Sequence, residues 1–285
     1  MRFVLTIILF LLFSQKSFSQ ETKRFDSTNV RHHWDIFYTK TKDSLQSLDV
    51  YWNSESKDAK VLLFVHGGGW LSGDKKQYRE MASSLAGNGL TIVLINYRLS
   101  PMVKFPSHIE DVASAIYWTK SSIGTYNGNK ENIYLMGHSA GGHLISLLLF
   151  DNAYLEKYEM APSDIAGAIT ISSVFEIKPQ EGGATKKYLG MVFGENDTIW
   201  EKATCKNHID TETKNKVPPF LISWGKEEEK LIVDESLSIL DEFKDSKIKF
   251  QTYIFNGKDH YVFKNDLKDV KSGFFEKLMQ FMENQ

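Results

Sequence analysis

The sequence predicts an α/β fold in which a mainly parallel, eight-stranded sheet carries helices on both faces. Continuous β-branched and apolar runs such as Val61–Val65 and Thr91–Ile95 are typical of strands that are covered on both faces. Segments with apolar residues at helical spacing separate these runs, and such an alternation indicates βαβ units. The 285 residues hold no internal repeat and no low-complexity run, so we expect one domain rather than two.

Eight segments have the pattern of strands. The first two alternate apolar and polar residues, as half-buried strands do, and we expect them to form an antiparallel pair. Most of the others are apolar runs bounded by turn residues. In chain order the eight are Trp34–Tyr38, Leu48–Trp52, Val61–Val65, Thr91–Ile95, Ile133–Met136, Ala166–Ser172, Phe220–Trp224 and Lys249–Phe255.

Five segments have the spacing of helices. They are Tyr78–Asn88, Ile109–Ser121, Ala140–Phe150, Val233–Phe243 and Val270–Met282. Residues 175–217 interrupt the alternation, because they hold many charges and only short apolar clusters. We expect this segment to project over the edge of the sheet as a cap or lid insertion.

The composition excludes several classes of protein. With 42% hydrophobic and 25% charged residues, the chain resembles ordinary globular proteins rather than disordered or fibrous ones. Its 34 Lys and Arg residues balance 36 Asp and Glu residues, which gives no electrostatic reason to expect nucleic-acid binding. The single cysteine, Cys205, cannot form an intrachain disulfide, and a domain of this size needs neither a disulfide nor a metal for stability.

The first residues are typical of a secretory signal peptide. Arg2 supplies a positive charge, Val4–Phe13 is almost entirely apolar, and Ser17-Phe18-Ser19 offers small residues for cleavage. Ten apolar residues are too few for a membrane span of about 20 residues, although an uncleaved anchor is the alternative. We therefore expect residues 1–19 to be removed, leaving the domain 20–285 as a secreted or periplasmic protein without stable membrane association.

The first chemical motif is Gly137-His138-Ser139-Ala140-Gly141, which has the G-x-S-x-G pattern. Alone this pattern is weak, but here it lies between a predicted strand and a predicted helix, which is the context that a nucleophilic serine needs. The helix N-terminus beneath the serine adds partial positive charge where an oxyanion would form. A glycine-rich turn without catalytic function is the alternative.

The second motif is His66-Gly67-Gly68-Gly69-Trp70, which directly follows a predicted core strand. Consecutive glycines free the backbone to aim its N–H groups at a ligand, as an oxyanion hole requires. A phosphate-binding loop is disfavoured because the Lys-Ser/Thr ending of a P-loop is absent. A flexible turn is the remaining alternative.

His260 is the candidate general base among eight histidines. It lies in the polar turn Gly257-Lys258-Asp259-His260, immediately after the last predicted core strand. A histidine there can reach over the carboxyl edge of the sheet towards Ser139. The alternative is a solvated loop histidine.

Together these motifs resemble the α/β-hydrolase superfamily. Within it, the chain is similar to the esterases that carry an HGGG motif, especially the branch with bacterial feruloyl and acetyl esterases and kynurenine formamidase. The resemblance spans about Trp34 to Met282 and depends on His66–Trp70, Asn96–Pro101, Phe105-Pro106 with Asp111, and Gly137–His143.

The resemblance implies a role for each motif. Ser139 would be the nucleophile and His260 the base, and the amides of Gly68, Gly69 and Ala140 would form the oxyanion hole. The ring of Trp70 would border the acyl side of the substrate pocket. No metal or other cofactor is implied.

The chain departs from the family pattern at the acid of the triad. The family usually places an aspartate three residues after the glycine that ends the preceding strand, but here the loop reads Gly225-Lys226-Glu227-Glu228-Glu229-Lys230. Counting from Gly225, and counting back from Ser236, both lead to Glu228. Because side chains alternate along an extended loop, we expect Glu227 and Glu229 to face away from His260. A solvated charged loop is the alternative.

These residues together predict a serine hydrolase that cleaves carboxylic esters through an acyl-enzyme. The expected substrate is a small ester with a short acyl group, or an acylated carbohydrate. Two alternatives stay open: an amide hydrolase of the kynurenine-formamidase type, which the same residues would serve, and an inactive hydrolase fold that only binds, for which the missing aspartate is the sole support.

Overall fold

One eight-stranded sheet forms the centre of the protein in the computed structural model, which describes residues 27–178, 183–257 and 259–284. The spatial order of the strands is β1-β2-β4-β3-β5-β6-β7-β8. β1 pairs antiparallel with β2 and β2 with β4, whereas every other neighbouring pair is parallel. The strands are β1 Val30–Phe37, β2 Ser47–Asn53, β3 Ala59–Val65, β4 Thr91–Ile95, β5 Gly128–His138, β6 Gly167–Ile171, β7 Phe220–Gly225 and β8 Phe250–Phe255.

The mainly parallel sheet with an antiparallel opening pair is therefore as predicted. The largest difference is β5, which begins at Gly128 rather than Ile133. Its first residues include the exposed Lys130 and Glu131, so the apolar pattern begins only where the strand enters the core. A bulge in its pairing with β3 separates these two parts of the strand.

Helices cover both faces of the sheet, as predicted. Because successive strand residues point to opposite faces, Val61, Leu63 and Val65 of β3 join one core cluster while Leu62 and Phe64 join the other. The helices are α1 Arg79–Gly87, α2 Ser107–Ser122, α3 Ala140–Phe150, α4 Ala153–Glu156, α5 Gly183–Phe193, α6 Asp197–Ala203, α7 Lys230–Ser246, α8 Phe263–Asp266 and α9 Gly273–Glu283. No helix in the described part of the chain has the length and apolar character that crossing a bilayer requires.

The helix boundaries differ from the sequence prediction by up to one turn. Residues 75–78 form a 3-10 turn before α1, and α7 extends by about a turn at its N-terminal end. The predicted signal peptide, residues 1–19, lies outside the described residues.

The part of residues 175–217 that the structure describes contains two α-helices that the sequence pattern does not reveal, α5 and α6. Their buried side chains, Leu189, Val192, Phe193 and Trp200, join the core cluster that also contains the helices α2 and α3. The short apolar clusters seen in the sequence are therefore the inward faces of short helices. The function of this segment as a cap stays a prediction.

A cluster of charges centred on the buried side chains of Lys75 and Asp49 fastens the loop that follows β3. The side chain of Lys75 is fully buried, and its Nζ contacts Asp35 of β1 and Asp49 of β2. Arg79 donates to the second carboxylate oxygen of Asp49 at 2.9 Å, and the Lys75 amide donates to the Asn96 side chain at 2.7 Å. The cluster thus ties the loop to the antiparallel strands beside it.

We expect Lys75→Met to destabilise the fold. The substitution removes one of the two cations that pair with the buried Asp49 and leaves only Arg79; breaking a buried ion pair costs on the order of 3 kcal/mol in free energy of unfolding. Urea unfolding followed by circular dichroism measures this loss. Lys268→Met, which breaks the exposed pair with Glu80, is the matched control and should cost much less; equal losses in the two variants would contradict the role of the cluster.

Candidate active site

Ser139 lies at the tip of a sharp turn between β5 and α3, where the sequence predicts it. Its φ of 52° and ψ of −119° are unusual for a residue with a side chain. The neighbouring glycines permit this turn. A Cβ on Gly137 would lie 2.5 Å from the Gly141 carbonyl oxygen, and one on Gly141 would lie 2.2 Å from the Val65 carbonyl oxygen. The strained turn exposes the Ser139 side chain at the carboxyl edge of the sheet.

The glycine loop after β3 lies against this turn. Gly68, Gly69 and Trp70 all have positive φ, at 113°, 60° and 61°. Among the described residues, the amides of Gly68, Gly69 and Ala140 donate no hydrogen bond to a backbone carbonyl. Ala140 is also the first residue of α3, where the helix dipole adds partial positive charge.

His260 is paired with Glu228. The Nδ1 atom of His260 contacts Oε1 of Glu228, while Oε2 of the same carboxylate accepts hydrogen bonds from the Gly225 amide and the Ser172 hydroxyl, each at 2.8 Å. Burial raises the pKa of Glu228, but the hydrogen bonds from His260, Gly225 and Ser172 outweigh it, so the pKa of this carboxyl lies below its usual value. An ionised Glu228 can therefore hold the His260 ring with Nδ1 as the donor.

The neighbouring glutamates differ from Glu228 in exposure. Glu227 and Glu229 are exposed, and neither contacts His260, whereas Glu228 is buried. Glu229 is also among the residues that line the cavity containing His260, and the expectation that its side chain faces away from His260 stays a prediction. The loop is a tight turn closed by the Glu228 amide and the Gly225 carbonyl, and strict alternation does not hold in a turn.

The predicted residues meet at one cavity of about 430 Å³. Six of the seven line it, and the exception is Gly68, which lies outside the lining. The cavity walls are largely apolar, and residues 175–217 supply part of them. The members of the predicted site that line the cavity are Gly69, Trp70, Ser139, Ala140, Glu228 and His260; the apolar wall includes Val174, Ile177, Leu189, Leu231 and Ile232.

Trp70 lies where the resemblance implies, beside the cavity. Its ring is 4% exposed and packs edge-on against His143 and Phe193, with ring centroids 5.1 Å apart in both contacts. His143 in turn donates through Nε2 to the Ala203 carbonyl at 2.7 Å, and burial lowers its pKa to about 4. His143 thus supports the wall as a neutral core residue.

His138 is a site residue that the sequence did not single out. It is fully buried, its Nε2 donates to the His260 carbonyl at 2.9 Å, and the two rings are 4.5 Å apart. Burial lowers the pKa of His138 well below its usual value, so it supports the base loop as a neutral imidazole. In the sequence, only its position next to Ser139 points to His138. That position does not predict a contact with His260, which lies 122 residues further along the chain.

The described residues contain no cluster of His, Cys, Asp or Glu side chains that could hold a metal ion. Cys205 is fully buried, and burial raises the pKa of its thiol far above the usual value. Such a thiol is a poor nucleophile. The groups at the cavity therefore fit nucleophilic chemistry on Ser139 better than chemistry on the cysteine.

A family model matches this chain. The model of the BD-FAE family covers residues 48–243, more than half of the sequence. The chain belongs to the BD-FAE family. The matched range begins with β2 and ends in α7, so it includes the glycine loop, Ser139 and Glu228, while the segment with His260 lies beyond it.

Several esterases are similar to this BD-FAE chain. Esterase LipC of Mycobacterium tuberculosis is 29% identical over 216 residues, which cover 71% of this chain and 53% of that protein. The chain spans about half the length of the curated relatives it matches.

Solved structures of esterases have the same fold. Esterase B from Lactobacillus rhamnosis, crystallised with a tributyrin phosphonate, superposes with a TM-score of 0.76 at 22% identity, covering 90% of this chain and 86% of that one. A truncated carbohydrate esterase from gut microbiota superposes with a TM-score of 0.74 at 19% identity. The superposition covers 89% of this chain and 95% of that one. At these identities the likeness establishes the α/β-hydrolase fold, and with the family match it confirms the resemblance derived from the motifs.

We expect Glu228→Gln to abolish most esterase turnover. The amide cannot stabilise an imidazolium and favours the wrong tautomer of His260, and such a replacement costs about 10⁴ in kcat in a serine triad. The measurement is kcat on p-nitrophenyl acetate.

The matched controls are Glu227→Gln and Glu229→Gln, which remove exposed charges and should each cost less than about tenfold. Near-full activity in Glu228→Gln, together with a large loss in one of these controls or in Asp234→Asn, would contradict the assignment of the acid.

Proposed function

We propose that the protein is a serine hydrolase that cleaves carboxylic esters through a covalent acyl-enzyme. The observation that carries the proposal is the contact between His260 and the buried Glu228 in the cavity that Ser139 lines at its strained turn. Family membership and the names of the relatives support an ester as the substrate.

In the first half-reaction the Ser139 hydroxyl attacks the acyl carbonyl while His260 takes its proton. Glu228 stabilises the imidazolium, and the amides of Gly69 and Ala140, which both line the cavity, would stabilise the oxyanion. The leaving alcohol then takes the proton from His260. In the second half-reaction His260 takes a proton from water as the water attacks the acyl-enzyme. The proton then passes to the Ser139 oxygen, and the carboxylic acid is released.

Two features support a small, uncharged acyl or carbohydrate-linked ester as the substrate. The cavity is about 430 Å³ and largely apolar, and one solved structure of the same fold is named a carbohydrate esterase. An inactive fold that only binds is an alternative because the usual aspartate is missing, and the contact of the buried Glu228 with His260 favours the active enzyme over it.

We expect the purified protein to hydrolyse p-nitrophenyl acetate and Ser139→Ala to lose this turnover, by at least about 10³-fold in kcat. The measurement is the release of p-nitrophenolate. Ser163→Ala, which alters a serine away from the cavity lining, is the control and should keep full activity. Equal rates for wild type and Ser139→Ala would refute the nucleophile, and a wild type that cleaves N-formylkynurenine but no ester would favour the amide hydrolase.

Short acyl groups should be preferred. The buried ring of Trp70 is fixed by His143 and Phe193 and cannot move aside without disturbing the core. We therefore expect a higher kcat/KM for acetyl and propionyl esters than for octanoyl or longer ones. A kcat/KM that rises steadily up to the octanoyl ester would overturn this expectation, and Trp70→Ala should shift the optimum towards longer chains.

We also propose that residues 1–19 direct export and are removed. The support is the sequence alone: a positive Arg2, ten apolar residues and small residues before Gln20. Intact mass and N-terminal sequencing of the exported protein should give a chain that starts at Gln20. An intact Met1 in the membrane fraction would refute cleavage.

A further inference from the structure

Each carbonyl group of the glycine loop 67–70 accepts a hydrogen bond. Two of the four are held by residues next to the loop in the sequence, and a third is held by Ser100. The Gly67 carbonyl accepts from His66 Nδ1 at 2.8 Å. The Gly68 carbonyl accepts from the Ser72 amide at 3.0 Å and from the Ser72 hydroxyl at 3.1 Å. The Trp70 carbonyl accepts from the Ser100 amide at 2.9 Å.

The fourth carbonyl, that of Gly69, is held by a residue of the segment 175–217. It accepts a hydrogen bond from the hydroxyl of Tyr188 at 2.8 Å. Tyr188 belongs to α5 in the segment 175–217, is half-buried and lines the cavity. The hydroxyl is so close that a Cβ on Gly69 would lie 2.0 Å from it. Burial raises the pKa of Tyr188, so the hydroxyl stays a donor at neutral and mildly alkaline pH.

The peptide group between Gly69 and Trp70 is the one most in need of such support. Trp70 has a φ of 61°, which a bulky L-residue rarely adopts. A half-turn of this peptide group would carry φ of Trp70 into the ordinary extended region, and Gly69 accepts either orientation because it has no Cβ. The half-turn would exchange the Gly69 carbonyl and the Trp70 N–H across the loop and change the dipoles around Ser139.

We infer that Tyr188 is a positioning residue for the oxyanion hole. Its hydroxyl holds the Gly69–Trp70 peptide in the strained orientation and so anchors the carbonyl side of Gly69, whose N–H belongs to the preceding peptide. Without this anchor Gly69, which has no Cβ, is free to turn and carry its N–H away from Ser139. The segment 175–217 then does more than border the substrate: one of its side chains completes the donor geometry for the transition state. This inference deepens the proposed ester hydrolysis and rests on it for its kinetic test.

The kinetic test uses Tyr188→Phe, which keeps the ring and removes only the hydroxyl. The matched control is Tyr117→Phe, because Tyr117 lies on α2 outside the cavity lining and is 45% exposed. Loss of one oxyanion donor costs about 10²- to 10³-fold in kcat, and misaiming one should cost less. We expect kcat on p-nitrophenyl acetate to fall about 10- to 100-fold in Tyr188→Phe, with KM changed by less than about threefold.

A second substrate separates positioning from a general effect on the pocket. In the thiono analogue of p-nitrophenyl acetate, sulfur replaces the carbonyl oxygen and is a poor hydrogen-bond acceptor, so the oxyanion donors contribute little to its cleavage. We expect Tyr188→Phe to slow the oxygen ester at least about fivefold more than the thiono ester. Equal losses on both substrates, or no loss on either, would overturn the inference.

A structural test does not depend on turnover. The crystal structure of Tyr188→Phe should have the Gly69–Trp70 peptide reversed or in two orientations, with Trp70 at negative φ in at least one of them. A loop unchanged from the wild type would overturn the inference. If the wild type cleaves no ester at all, the proposed function fails, and this structural comparison still decides whether Tyr188 holds the peptide.

Discussion

The proposed site depends above all on the parallel register of β3 and β5, in which Val65 lies opposite Gly137. This register ends both strands at the same level, so the loop after β3 crosses directly over the turn after β5. The approach is so close that a side chain on Gly141 would meet the Val65 carbonyl oxygen and one on Gly67 would meet His138. Backbone amides can serve an oxyanion on Ser139 only because these two turns are in contact.

The parallel direction of the strands also brings the loops after β6, β7 and β8 to this edge of the sheet. β6, β7 and β8 run parallel to β5, so the residues that follow them emerge at the same edge. Ser172 follows β6, Glu228 follows β7 and His260 follows β8, and these three meet through the Glu228 carboxylate. Each of these residues follows its own strand end in the sequence, but the contacts among them join residues that are far apart in the sequence.

Strained backbone recurs at the points where these loops meet. Ser139 and Trp70 both have positive φ, and each is held there by neighbours that a flexible loop would not have. At Ser139 the neighbours are the close-packed glycines of the turn, whereas at the peptide before Trp70 the neighbour is a tyrosine from a different segment. Such strain persists only where surrounding packing opposes its release. Residues 175–217 therefore supply part of the support for the glycine loop 67–70.

The sequence by itself determined the strand and helix alternation, Ser139 and the glycine loop, because periodicity and turn chemistry are local properties. Spacing also selected Glu228 among three adjacent glutamates. Only the tertiary structure decided that Glu229 is among the cavity-lining residues, that the described part of residues 175–217 contains helices, and that Gly68 lies outside the lining. The tertiary structure also created the contacts of His138 with His260 and of Tyr188 with Gly69, which join residues 122 and 119 positions apart. No local pattern encodes such pairs, because they exist only once the strands have assembled and their ends share one edge.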